Sequence, residues 1–222
     1  DDARLDLSLR GSLAVESFEE LYLTQMKALL RANEYGNLRL LYPMVSDIQD
    51  LRVYQTVLKK ARRGIRAEKK RLPRRPIQEG VMIETPGAVF LAEEIGDKVD
   101  FLNIGSNDLL QYTLAAARGN LMVEEHYHIL HPALVKMLSH VAKIGRKIRK
   151  EVCLCGEIAS FEEYYPLLLH IGIKSFSVSA GKFSDIKCEM LHLKKKQTRD
   201  IVQEYYKVKT KHDADRFFAR FL

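Results

Sequence analysis

The chain of 222 residues is 46% hydrophobic and 29% charged, the balance of an ordinary soluble globular protein, and no apolar run reaches the roughly 18 residues of a membrane span. Its net charge of +7 is not a general basic field: residues 59–75 hold ten Lys or Arg and one Glu, a local +9, so the rest sums to 7 − 9 = −2. Three cysteines, an odd number, and an acidic start without a signal-peptide layout exclude a secreted disulfide scaffold and make the cytoplasm the expected compartment.

In chain order, residues 16–35 read as a helix, with Leu21, Leu23, Met26, Leu29 and Leu30 at helical spacing and Gly36 near the end. The short apolar run LRLLYPMV (38–45) suits a buried strand. A helix follows with Ser46 as its expected N-cap and runs into the basic segment. That segment reads as a solvated helix face passing into a Pro-containing loop, with a polyanion-binding patch as the alternative. No aromatic interleaves with its charges, which speaks against single-stranded nucleic acid.

Further on, GVMIETPG (80–87) is a second strand, stopped at Pro86, and AVFLAEEIGDKV is helical. DFLNIGSND is a third strand and LLQYTLAAARG a helix; HPALVKMLSHVAKIGRKIRK is another, with Pro132 in its first turn. EVCLCGEIA is a fourth strand, FEEYYPLLLHIG a helix and IKSFSVSAG a fifth strand; from Phe183 the chain reads as helix to its end. Strands alternating with helices predict an α/β fold with a parallel sheet. No repeat or linker divides the chain, so residues 1–222 are expected to form one domain with a helical tail from about 183.

Every predicted strand ends in polar or small residues: Ser46, Glu84, Asn107 with Asp108, Cys155 with Glu157, and Ser179. Ligands of parallel α/β folds sit beyond the carboxyl ends of the strands, so these residues are expected on one face. Glu84 and Asp108 close neighbouring strands, and two unneutralised carboxylates repel. Each alone could cap a helix; as a pair they point to a hard divalent ion sharing substrate oxygens. Gly105 and Asn107 allow a ligand close to the backbone, and a helix start suits an anion. Arg118 could swing back to a phosphate or be an ordinary surface arginine. Of the C-x-C pair, Cys153 reads as a core residue; Cys155, at the strand end, carries a thiol that is protonated at neutral pH and can act as an acid.

Together these residues resemble the PEP-binding domain of the PEP-utilising enzymes. DFLNIGSNDLLQYTLAAAR follows that family's signature almost throughout, departing at Asn103, where the family has serine, and at Ala117, where an aspartate usually precedes the arginine. MIETPGA, LCGEIA and SFSVSA match further blocks in order and are similar to the Enzyme I branch, the phosphoenolpyruvate-protein phosphotransferases, more than to pyruvate phosphate dikinase or PEP synthase. LSLRGS resembles the block that carries a substrate arginine, here Arg10.

The resemblance implies a (β/α)8 TIM barrel, present here without its first strands. It implies that Glu84 and Asp108 hold Mg2+, and that Asn107 contacts phosphoenolpyruvate (PEP) while Arg118 and Arg10 bind its anionic groups. Cys155 would protonate the enolate of pyruvate. It further implies a homodimer in the cytoplasm, handing phosphate to a histidine on an N-terminal domain and then to the carrier HPr. That domain is expected outside these residues, as in a piece of a longer protein, so the chain alone is expected to be inactive. The alternatives are an inactive regulatory or interaction module of the same fold, a fragment of pyruvate phosphate dikinase or PEP synthase and, on the basic segment alone, a nucleic-acid-binding protein.

Overall fold

The computed structural model describes residues 10–73, 75–116, 129–193 and 201–221. Two helices, α1 (Gly11–Ser17) and α2 (Glu19–Ala32), lead into β1 (Arg39–Tyr42), followed by α3 (Ile48–Ala67) and β2 (Gln78–Ile83). Two short helices, α4 (Pro86–Phe90) and α5 (Ala92–Gly96), precede β3 (Phe101–Gly105) and α6 (Ser106–Leu114). Then come α7 (Pro132–Ile148), β4 (Glu151–Cys155), α8 (Tyr165–Ile171), β5 (Ser175–Phe176), α9 (Phe183–His192) and a C-terminal helix, Lys211–Phe221.

The strands form one parallel sheet in the order β1-β2-β3-β4-β5, each beside its successor in sequence. Parallel crossovers are right-handed almost without exception, so a sheet that never reverses its order carries its helices on one face. That is the arrangement of a barrel wall rather than of a doubly wound sheet.

Side-chain alternation agrees. Leu40, Tyr42, Val81, Ile83, Leu102, Ile104 and Leu154 point to the helix side and join the main hydrophobic core with Leu51, Leu109 and Leu138. The opposite face is built in cross-strand rows. One row runs through Leu41, Gly80, Phe101 and Glu151, and the next through Met82, Asn103, Cys153 and Ser175. Phe101 is buried there beneath the Arg39 guanidinium, 3.7 Å from its ring centre, and over Gly80, where a Cβ would overlap the ring at 2.3 Å.

Several expectations need correction. The helix expected over 16–35 is two helices broken at Phe18, whose carbonyl accepts from the Leu21 and Tyr22 N–H groups and starts α2. The N-cap of α3 is Asp47, not Ser46: the Asp47 carboxylate accepts from the Gln49 and Asp50 N–H groups, and Asp50 accepts from the Asp47 N–H in return. The fifth strand pairs over Ser175–Phe176 alone, joined by a Ser177 N–H bond to the Leu154 carbonyl. The helix expected from Phe183 to the end is interrupted. α9 stops at His192, and a fresh capping box starts the last helix, with Asp213 accepting from the Thr210 N–H and Thr210 Oγ1 from the Asp213 N–H.

The cap assignment is directly testable. Asp47→Ala removes two charge-assisted bonds from the start of α3 and should cost about 1–2 kcal/mol, read by urea denaturation. Ser46→Ala, which loses one hydroxyl contact with Thr85 Oγ1, should cost less than half as much.

Candidate active site

The carboxyl end of each strand feeds one rim, and Glu84 stands at its centre. It follows β2, is 5% exposed, and accepts the Met44 N–H on Oε1 at 2.7 Å. Its other oxygen lies over Gly105 at the end of β3, where a Cβ would come within 2.8 Å of Oε2 and 3.1 Å of Met82 Sδ. A side chain at position 105 would therefore evict the carboxylate; that is why the chain needs glycine there. Cys155 is the register partner of Gly105 on β4, so Glu84, Gly105 and Cys155 share one row.

Asp108 lies in the first turn of α6, where the helix dipole favours a carboxylate, and it is half-buried and close enough to Glu84 and Cys155 to perturb both. Asn107 uses Oδ1 to accept the Glu157 N–H at 3.0 Å, tying α6 to the turn after β4. That turn depends on Gly156, at φ +100, because a Cβ there would meet Ser106 Oγ at 2.2 Å and Asn107 Oδ1 at 2.9 Å. Ser106 Oγ donates to the Cys155 carbonyl at 2.8 Å.

Arg10 joins from the far end of the described chain. Gly11, at φ +60, sits against the Met44 carbonyl, where a Cβ would come within 2.7 Å. This lays the start of α1 on the loop that also supplies a donor to Glu84. Arg10 thereby acts electrostatically on Glu84 and reaches Tyr112 Oη on α6 with Nη1 at 3.4 Å.

Burial pushes the Glu84 carboxyl up to about 7; Asp108 adds to the rise, while the Met44 N–H and Arg10 oppose it. Burial, then Cys153, Glu84 and Asp108, push the Cys155 thiol up to about 11. Its Sγ donates to the Ile104 carbonyl at 3.3 Å and lies 3.9 Å from Met82 Sδ.

The structure thus brings together Arg10, Glu84, Asn107, Asp108 and Cys155. Arg118 lies outside the described residues. Cys153 is corrected: it is half-buried on the same face as Cys155, and Leu154 between them is the core residue. Ser179 does not end a long strand beside the others but precedes a single helical turn, exposed. Met44, Met82 and Tyr112 were not foreseen as neighbours of the site, because nothing local marks an ordinary methionine or tyrosine.

These features make the rim at the carboxyl ends of the strands the candidate site of the chain. The family model for the PEP-utilising enzyme, PEP-binding domain, matches residues 7–195, and the chain belongs to that family. It is 30% identical to multiphosphoryl transfer protein 2 of Escherichia coli K12, over 97% of this chain and 26% of that protein. It is 35% identical to a phosphoenolpyruvate-protein phosphotransferase of Buchnera aphidicola, over 87% of this chain and 34% of that one. With the enzyme of the same name from Bacillus subtilis the identity is 32%, over 90% and 35%. The chain therefore spans about a quarter to a third of the length of these relatives. A citrate lyase from Burkholderia xenovorans shares the TIM-barrel-type fold, with a TM-score of 0.54 and 13% identity over 75% of this chain and 53% of that one.

Members of this family need a divalent metal. Among the described residues no three His, Cys, Asp or Glu side chains cluster tightly enough to hold a metal by themselves. Two carboxylates are present instead, one of them buried with its charge disfavoured, and that donor set fits a hard ion whose remaining ligands are water and substrate oxygens.

Glu84 makes the fold pH-sensitive in a defined direction. Its folded pKa lies above the ordinary 4.5, so the stability it contributes is complete below that value and is lost as the pH rises through about 7. Glu84→Gln keeps an acceptor for Met44 and cannot ionise. Without metal at about pH 8 it should be more stable than the parent chain by roughly 3 kcal/mol, with the gap closing near pH ~4.5. Urea denaturation at both pH values measures this, and Mg2+ should narrow the gap by stabilising the parent chain alone.

Proposed function

We propose that this chain is the PEP-binding catalytic domain of a phosphoenolpyruvate-protein phosphotransferase. The phosphoryl group of PEP passes to a histidine on another domain and onward to HPr, releasing pyruvate. The observation that carries this reading is the meeting of Arg10, Glu84, Asp108 and Cys155 on one rim, in a chain of the PEP-binding family. The odd cysteine count supports a reducing compartment, the cytoplasm, and no described helix is long and apolar enough to cross a membrane. A homodimer belongs to the same proposal.

In this reading Glu84 and Asp108 hold Mg2+, which when bound offsets the negative charge of the phosphate and of the enol oxygen. Arg10 binds an anionic group of PEP, and Asn107, oriented by its bond to the Glu157 N–H, contacts the substrate beside it. Arg118 is assigned the second cation from its place in the motif. Transfer breaks the bond between phosphorus and the enol oxygen and forms a phosphorus–nitrogen bond on the histidine. Such a reaction needs positioning and charge stabilisation more than covalent help.

The enolate left behind takes a proton at C3. Cys155 supplies it: a thiol pushed up to about 11 stays protonated at neutral pH, and it sits on the rim beside the carboxylates. Burial at the rim is the main reason that the acid keeps its proton.

Pyruvate release from PEP, with the histidine domain and HPr supplied, tests these roles. Asp108→Ala should reduce turnover by at least about a hundredfold with the fold intact by circular dichroism. Full activity in that variant would overturn the reading. Cys155→Ser substitutes a far weaker acid of similar size and should lower kcat by about tenfold or more with KM little changed. Cys153→Ser should be close to neutral; if it is the damaging change, the two cysteines have exchanged roles.

A further inference from the structure

The basic segment that reads in sequence as a solvated helix face folds into a concave wall. Its C-terminal part, with the loop leading to β2, closes against the end of α2. The result is a groove of about 900 Å3 lined by Arg31, Tyr35, Lys70, Arg71, Leu72 and Arg75. A second hollow of about 250 Å3 shares Leu72, Pro73 and Arg75 with the first and adds Arg62 and Arg66. Six cationic side chains thus line two adjoining hollows, against a single acid, Glu34.

Internal ion pairs account for few of these charges. Glu68, the one acid of the segment, is taken up by Lys27 at 2.8 Å and Lys70 at 2.7 Å, and Arg62 reaches Glu79 at 3.6 Å. Arg31, Arg66, Arg71 and Arg75 have no carboxylate partner among the described residues. Like charges gathered in one hollow repel, and an anion placed among them removes that cost.

Arg75 is also held in place before any ligand arrives. The buried Asn33 donates to its carbonyl at 3.3 Å and accepts the Leu38 N–H at 3.0 Å. The stem of Arg75 lies flat on Gly36, at φ +68, where a Cβ would come within 2.5 Å of its Cδ. Tyr35 stands at the rim, 82% exposed, and with Leu72 and Pro73 offers an apolar wall beside the cations.

We propose that this groove binds a small polyphosphate anion, at a site separate from that of PEP. A hollow of this volume suits a small molecule, and guanidinium forks pair with phosphate oxygens two at a time. A nucleic acid would instead need cations spaced along a track, whereas the unpaired arginines here gather around two adjoining hollows that share Arg75. The groove opens at the amino ends of β1 and β2. Glu84 is six residues beyond Gln78, which at the rise of a strand puts the two sites roughly 20 Å apart, at opposite ends of the sheet.

Calorimetric titration of the 222-residue chain with inorganic triphosphate, and separately with ATP, tests this in EDTA, so that no divalent ion bridges phosphate to Glu84 and Asp108. One saturable site is expected. Arg66→Ala with Arg75→Ala should weaken it by about tenfold or more with the fold intact by circular dichroism. Lys59→Ala with Arg63→Ala removes the same charge from exposed positions outside the groove and should change affinity less than about twofold. Tighter binding of ATP, with the increment lost in Tyr35→Ala, identifies a nucleotide; equal affinities identify the bare polyphosphate. Equal weakening by both double variants would overturn the proposal, as would no saturable heat by about 1 mM ligand or tighter binding of duplex DNA than of triphosphate.

Discussion

The rim at the strand ends depends on one buried carboxylate. Glu84 ends β2, takes its hydrogen bond from the loop after β1, fills the space left by Gly105 at the end of β3, and shares a row with Cys155 at the end of β4. Four successive strand ends are therefore tied through a single side chain. A charge so placed is costly unless something compensates it, and the Met44 N–H and Arg10 do so only in part. The residual cost is what raises the Glu84 carboxyl to about 7, and burial, with smaller contributions from Cys153, Glu84 and Asp108, raises the neighbouring thiol.

The two faces of the sheet divide the remaining work. Leucine, isoleucine and valine fasten one face to the helices and supply the core. On the other face, beyond the Phe101 row, stand Met82, Asn103, Cys153 and Ser175 in one row and Glu84, Gly105 and Cys155 in the next. Asn103, where the family signature has serine, has a buried Oδ1 without a hydrogen-bond partner among the described residues. The two ends of the sheet differ as well. Glu84 and Asp108 lie at the carboxyl ends of the strands, whereas the arginine-lined hollows lie at the amino ends of β1 and β2.

Much of this was legible in the residues, and the misreadings have physical causes. Parallel strands and their polar ends could be read because burial on the helix side demands short apolar runs. Asp47 displaced Ser46 as the cap because Asp50, three residues on, can return the bond and complete a capping box. The same logic was present in Thr210 and Asp213, yet the helical periodicity around them hid the break. Cys153 was placed in the core because alternation tells which residues share a face but not which face the helices cover.

The sequence by itself determined the alternation of strands and helices and the family signature, since both rest on local spacing or on a motif of fixed order. Only the tertiary structure decided which distant residues meet. Arg10 reaches Tyr112, separated by 102 positions, because Gly11 rests on the Met44 loop. Tyr35 and Arg31 close a groove against a basic segment that contains no aromatic of its own. Such meetings depend on the packing of whole helices onto the sheet, a long-range constraint that no local pattern encodes.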